Sequence, residues 1–401
     1  MEKQIKIFAE VIEPEALAQF NEAMAQPFSV KGALMADAHT GYSMPIGGVV
    51  ATKGVIVPAW VGYDIGCGMC AVELGHKKEE FDFQKIFDVI YKEIPVGFNH
   101  YSSKQPVPQL PHTEVVTKGL AKSGQYQLGT LGSGNHFIEI GEGNSGSIWV
   151  VIHSGSRNLG HYVASHYMKL AYVESIDTKD LGRQFDELKN SHRFKEKNPE
   201  EYAKAKEKYI QREVANSHAK SNFEGHFAFD VNSQSGKNYI TDMKYCLEYA
   251  LQNRRAMIEK VKHIMGVENE LTFINRNHNH AEFDGAYWIH RKGATHAEKD
   301  MLGVIPGNMR DGSFIVRGLG CEDSLCSSSH GAGRVLGRRQ AMAKLSMEEF
   351  TEQMQGKFAR VEKDTLDEAP NAYKNIFEVM QLQKDLVEII DHVKPIVNIK
   401  G

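Results

Sequence analysis

No run of apolar residues in this chain approaches the roughly eighteen that a membrane-spanning helix needs. The opening Met-Glu-Lys-Gln-Ile-Lys-Ile also lacks the long apolar core of a secretion signal, so a cytoplasmic protein is expected. Cysteine is scarce: Cys67, Cys70, Cys246, Cys321 and Cys326 are the only five. An odd and sparse set argues against a disulfide framework. Cys67 and Cys70 form one Cys-x-x-Cys pair, but no second pair follows, which argues against a four-cysteine zinc site and leaves a redox dithiol as a weak alternative. Neither sign of charge dominates, since 47 Lys and Arg stand against 51 Asp and Glu. Bulk electrostatics therefore do not draw the chain onto a polyanion, although local arginines beside glycine-rich stretches could still line a phosphate groove. Two nucleotide signatures are missing as well. There is no Gly-x-x-x-x-Gly-Lys-Ser/Thr loop, and no Gly-x-Gly-x-x-Gly set in a strand–turn–helix with an acidic partner downstream.

Nor does a Pro/Gly/Ser-rich linker divide the chain. One continuous catalytic unit over residues 1–401 is expected, of mixed α/β class with sheets surrounded by helices and neither Rossmann nor P-loop in kind. Residues 33–76 alternate β-branched runs with glycine turns, the pattern of a sheet carrying functional loops. Strand signals return at 136–140, 148–152 and through 271–328. Helical spacing covers 78–93, 157–175, 238–264 and 335–358. In the 238–264 helix, Met243, Leu247, Ala250, Leu251 and Met257 are expected to face the core. The charged stretch at about 178–222 reads as a solvated helical insertion. The apolar run that ends in Lys400 reads as a strand that is tied down.

The residues that could carry chemistry sit in loops rich in glycine, serine and asparagine. Asp64 and Cys67 are three apart in a glycine-flanked turn, so a carboxylate and a thiolate could reach one cation. His136, His153 and His278 each stand at a strand end beside small polar residues. Together these five suit Zn²⁺, Mn²⁺ or Fe²⁺. His280 and His296 compete as ligands, with His278 and His280 expected on one strand face. His330, in Ser-Ser-Ser-His-Gly-Ala-Gly-Arg, could be a ligand, a base or a covalent nucleophile. The backbone of Gly331, Ala332 and Gly333 could cradle a phosphate, the more so if a helix begins there.

Asp64-Ile-Gly-Cys-Gly, Leu131-Gly-Ser-Gly-Asn-His-Phe-Ile-Glu, His153-Ser-Gly-Ser-Arg, Arg291-Lys-Gly-Ala-Thr, Ser329-His-Gly-Ala-Gly-Arg and Lys400-Gly401 resemble, in order, the RtcB family of GTP-dependent RNA ligases. The resemblance implies joining of RNA 2′,3′-cyclic phosphate or 3′-phosphate ends to 5′-hydroxyl ends, in RNA repair or tRNA splicing, with GTP and two Mn²⁺ ions. It implies that Asp64, Cys67, His136, His153 and His278 hold the metals, with Cys67 bridging, and that His330 carries a GMP intermediate. Asn135, Glu139 and Lys400 would meet the nucleotide, beside Gly331, Ala332 and Gly333. Arg157, Arg310 and Arg334 would contact RNA or phosphate, and an archease-like activating protein would be a partner.

One departure is local: Pro306-Gly-Asn308-Met-Arg310 stands where the family often has Pro-Gly-Ser-Met-Gly, which bears on nucleotide contacts. The competing readings are a metal-dependent phosphoesterase of cyclic phosphate ends and a non-catalytic RNA-binding homolog.

Overall fold

The computed structural model describes residues 3–188, 191–218 and 223–401. Its central sheet takes strands in the order Leu302–Pro306, Ser313–Gly318, Val387–Lys400, Phe137–Glu142, Ile148–Ser154, Gly68–Glu73 and Thr272–Asn277. Each is antiparallel to the next. The two outer strands pack back against each other, so the sheet is nearly closed.

Period-two alternation sorts its side chains between two faces. Ile138, Ile140, Val150, Ile152, Val397 and Ile399 enter an apolar layer under the helices Phe83–Glu93 and Gln234–Met265. Phe137 and Val151 face the other way, with Met69, Trp149 and Ile315. A slip of one residue would exchange the side chains of the two faces and unpack both layers. The register is therefore fixed, and it sets up one row across the sheet. Lys400 lies opposite Phe137, Phe137 opposite His153, His153 opposite Met69, and Met69 opposite Arg276.

A second sheet runs Gln4–Ile7, Ser29–Tyr42, Met44–Thr52, Trp288–Lys292 and Asn279–Phe283. Between the two lies a short pair, Ala294–His296 with Ser327–Ser329, and the latter strand delivers His330. The class is mixed α/β with antiparallel pairing along the central path, unlike a doubly wound sheet. Among the described residues no helix is long and apolar enough to cross a membrane. Helices Thr178–Asp186, Ser191–Lys197 and Pro199–His218 occupy the charged stretch. Its residues 189–190 and 219–222 lie outside the described residues.

Two expectations are corrected. The helix expected over 335–358 is two helices, Arg338–Lys344 and Met347–Gln353, because the Ser346 side chain caps the second by accepting from the amides of Glu348 and Glu349. The first begins only at Arg338, so no helix N-terminus faces His330. In the long helix Gln234–Met265, Met243, Ala250 and Met257 are buried, but Leu247 and Leu251 are only half-buried. The stripe turns instead toward Tyr245, Cys246, Tyr249, Asn253 and Arg254, whose polar atoms have partners to find in the neighbouring loops.

Arg254 is fully buried. Its Nη1 donates to the carbonyls of Gly66 (2.9 Å) and Ser154 (2.7 Å). Its Nε and Nη2 donate to Oδ1 of Asn275 and of Asn277, both at 2.8 Å. Asn253 beside it accepts from the amides of Gly129 (2.7 Å) and Thr130 (3.1 Å). One helical turn thus pins the loops that carry Asp64, Cys67, His153 and His278. Arg254→Met removes the four guanidinium bonds and strands their buried acceptors. It is expected to lower unfolding stability in urea by about 3–5 kcal/mol.

Candidate functional site

The turn that carries Asp64 and Cys67 closes through a hydrogen bond from the Cys67 amide to the Asp64 carbonyl (3.1 Å), with Gly66 at a φ of +76°. That left-handed residue curls the chain so that both side chains point the same way. The His278 amide donates to the Cys67 carbonyl (2.8 Å), which ties the third strand end to the first. His136 and His153 arrive from the paired strands Phe137–Glu142 and Ile148–Ser154.

These five side chains converge. Cys67 Sγ lies 3.5 Å from His136 Nε2 and 3.2 Å from His153 Nε2. Asp64 Oδ2 is 3.2 Å from His136 Nε2, and His278 Nε2 is 3.3 Å from His153 Nε2. Cys67, His136, His153 and His278 are all at most 5% exposed. His136 Nδ1 donates to the Leu131 carbonyl and His153 Nδ1 to the Asn135 carbonyl, each at 3.0 Å. The proton is thereby fixed on Nδ1 and the Nε2 lone pairs are turned into the cluster. Burial first, then the neighbouring imidazoles, holds His153 and His278 well below the ordinary histidine range. They are neutral and ready to donate. Burial and then the Asp64 carboxylate push the Cys67 thiol well above its usual range, a balance that a cation in the cluster reverses. Lone pairs crowded in this way fit a metal ion and little else.

The Cys-x-x-Cys pair is divided by the strand's alternation. Cys70 faces the apolar layer on the opposite side, where burial pushes its thiol up to about 12. It is no redox partner for Cys67. His280 and His278 do not share a face either. The chain changes sheets at His278, between the strands Thr272–Asn277 and Asn279–Phe283, and His280 joins His296 in a separate cluster.

His330 stands beside the converged ligands, its ring 4.7 Å from that of His278, centre to centre. Its Nδ1 is 2.7 Å from Oδ2 of Asp37, a carboxylate with no exposed surface. Asp37 places the proton on Nδ1 and leaves Nε2 as the free lone pair. Gly333 has a φ of +74° and lies so close to the Asp37 backbone that a side chain would collide with it. The sequence offered Asp37 only as one acid in Ala-Leu-Met-Ala-Asp-Ala-His, a polar residue in a buried strand and the only signal there.

Two cavities meet at His330 and Asn135. The larger, about 430 Å³, is lined by Asp64, Cys67, His278, Lys292 and Arg334. The other is narrow, about 50 Å³, and is lined by Phe137, Glu139, Asn308, Gly331 and Lys400. Burial raises Glu139 to about 7, against the charge of Lys400 and a hydrogen bond from Asn398 Nδ2 (3.4 Å). Ala332 lines neither cavity: it is buried, and its amide donates to the Pro306 carbonyl (3.0 Å). Of the arginines, Arg310 is held by Asp311 (2.7 Å) and Arg157 by Thr130 Oγ1 (3.1 Å), so neither reaches into a cavity. Asn308 takes the serine's place in the narrow cavity and donates to Asp311 Oδ2 (2.8 Å).

Beneath Lys400 lies Glu368, which sequence reasoning missed. Its Oε2 accepts from Lys400 Nζ (2.8 Å) and the Tyr373 hydroxyl (2.5 Å), and its Oε1 from Arg334 (3.0 Å). Burial alone would raise Glu368, but Lys400 and Arg338 outweigh it and hold the carboxyl down from 4.5 to about 2. A folded value below the unfolded one means stability that is complete above pH 4.5 and is lost as pH falls toward about 2. Glu368→Gln is expected to lower stability at neutral pH and to flatten that acid limb, as read by urea unfolding at stepped pH.

The chain is similar over nearly its whole length to known proteins. The family model described as "tRNA-splicing ligase RtcB" matches residues 19–120 and 101–401. The RNA-splicing ligase RtcB of Escherichia coli K12 is 32% identical over 426 residues, covering 97% of this chain and 95% of the relative. The tRNA-splicing ligase RtcB of Thermococcus kodakarensis is 25% identical, covering 95% and 90%. An RtcB homolog of Entamoeba histolytica is 27% identical, covering 94% and 81%. The matched stretches take in Asp37, all five converged ligands, His330 and Lys400, and on that ground the chain belongs to the RtcB family.

Proposed function

We propose that this protein is an RNA ligase that joins 2′,3′-cyclic phosphate or 3′-phosphate ends to 5′-hydroxyl ends with GTP and two Mn²⁺ ions, in RNA repair or tRNA splicing. The observation that carries the reading is the His330–Asp37 pair at 2.7 Å, set where the ligand cluster and the narrow cavity meet. A phosphoesterase needs the cluster but has no use for an imidazole whose Nδ1 is locked by a buried carboxylate. A binding subunit needs neither.

In this reading Asp64, Cys67, His136, His153 and His278 would hold the ions. Bound manganese supplies charge neutralisation at the phosphate under attack. His330 Nε2 forms a bond to the α-phosphorus of GTP as the bond to pyrophosphate breaks. Asp37 keeps the ring oriented and stabilises the positive charge that develops on it. Water opens a cyclic phosphate, GMP passes from His330 to the RNA 3′-phosphate, and attack by the 5′-hydroxyl releases GMP. Asn135, Glu139, Gly331 and Lys400 serve the nucleotide, with Gly333 shaping the loop. Arg334 and Lys292 line the larger cavity, where the RNA ends would meet. The whole chain acts as one catalytic unit in the cytoplasm, with the 178–222 helices as an appendage. An archease-like activator goes with it as partner for multiple turnovers.

The test is to incubate metal-stripped protein with GTP labelled at the α-phosphate, with and without Mn²⁺. A Mn²⁺-dependent, acid-labile label is expected on the wild type and none on His330→Ala. Asp37→Asn should slow labelling by roughly 10²–10⁴-fold while leaving metal content unchanged. An unlabelled wild type that is folded and loaded with metal would overturn the reading.

A further inference from the structure

The two histidines left out of the catalytic cluster form one of their own. His280 and Glu282 stand two apart on the strand Asn279–Phe283, so both project from one face, with His280 opposite Arg291 and Glu282 opposite Ile289 on the neighbouring strand. His296 comes from the next strand after the Gly293 turn. One ligand atom each of His280, Glu282 and His296 lies within 4.8 Å of the others. The two imidazoles lie face to face, with centroids 4.8 Å apart and planes inclined by 22°.

What singles out this cluster is its inner histidine. His280 is 3% exposed, and neither of its ring nitrogens has a hydrogen-bond partner. An imidazole carries at least one N–H or lone pair that demands a partner, and burial without one is costly. Glu298 repeats the pattern: Oε1 is 2.9 Å from His296 Nδ1, while the buried Oε2 has no partner. The surroundings resemble the outer shell of a metal site. Arg291 bonds Glu282, lies 3.6 Å from Glu298, and is itself anchored on Ser327 Oγ (2.8 Å) and the Leu325 carbonyl (3.2 Å).

We propose that His280, Glu282 and His296 bind a divalent ion of the zinc class at a site separate from the catalytic centre and independent of the ligase reading. Two carboxylates here face Arg291 and, farther off, Arg276, so net charge does not attract a cation. The imidazole lone pairs must do the holding. That favours Zn²⁺ over Mg²⁺, Ca²⁺ or Mn²⁺, whose affinity for nitrogen donors is lower. The ion staples Asn279–Phe283 to Ala294–His296. His296 pairs with Ser327 in the strand that leads into His330, so the staple braces His330 from behind.

The test uses the full-length, metal-stripped chain titrated with Co²⁺, counting bound ions while following the thiolate-to-cobalt absorption that reports Cys67. His296→Asn and Glu282→Gln alter side chains that reach solvent (16% and 38% exposed), and circular dichroism of the stripped proteins checks their folding. Each variant is expected to bind one Co²⁺ fewer per chain than the wild type, with the thiolate band at full strength. If both folded variants bind as many ions as the wild type, the site does not exist. If ions are lost only together with the thiolate band, the two histidines serve the catalytic centre and the proposal of a separate site is wrong.

Discussion

A single buried guanidinium carries the architecture of the site. Arg254 reaches from the middle of a long helix into the junction of three loops and bonds Gly66, Ser154, Asn275 and Asn277. Backbone carbonyls at the ends of strands have no partners within the sheet, and buried without one they would be costly. Arg254 answers that need with donors in a rigid planar fork, so the loops are fixed relative to one another and not merely to the sheet. The five converged side chains come from four segments of the sequence, and their spacing of 3.2–3.5 Å is held from this side.

On the opposite side a carboxylate does comparable work for one residue. Asp37 and His330 are 293 positions apart, and their 2.7 Å contact joins the second sheet to the end of the short strand pair. The cluster and His330 are thus positioned by different parts of the fold. One depends on the central sheet and its long helix, the other on the second sheet. The chemistry lies at their meeting point, and the two cavities open on either side of it.

Much of this was legible in the sequence, for identifiable reasons. Asp64, Cys67, His136, His153 and His278 announce themselves because metal-binding residue types recur beside glycine and at strand ends. The strands themselves show through alternation. Lys400 was readable because an apolar run carries it into a sheet. Asp37 and Glu368 were not, since a lone acid in a buried strand or a turn has no periodic signature and its meaning comes from a distant partner. Arg254 hid inside a helical pattern, where an arginine ordinarily reads as surface. The helix expected over 335–358 starts only at Arg338 for a local reason: the backbone after His330 approaches Asp37 and turns back first. His280 and His296 looked like rivals for the catalytic ligands because sequence spacing cannot show that the chain changes sheets between His278 and His280.

The strand Val387–Lys400 lies inside the central sheet, between Ser313–Gly318 and Phe137–Glu142, yet it follows both in the chain. Until it emerges from the ribosome, those two strands face a gap, and the row running from Lys400 through Phe137 to His153 is missing its first member. Pairings of such long sequence separation form late and slowly. A nascent chain can therefore hold folded helices and half a sheet while having no closed cavity beside His330. The wall that Lys400 gives the narrow cavity comes only with this strand.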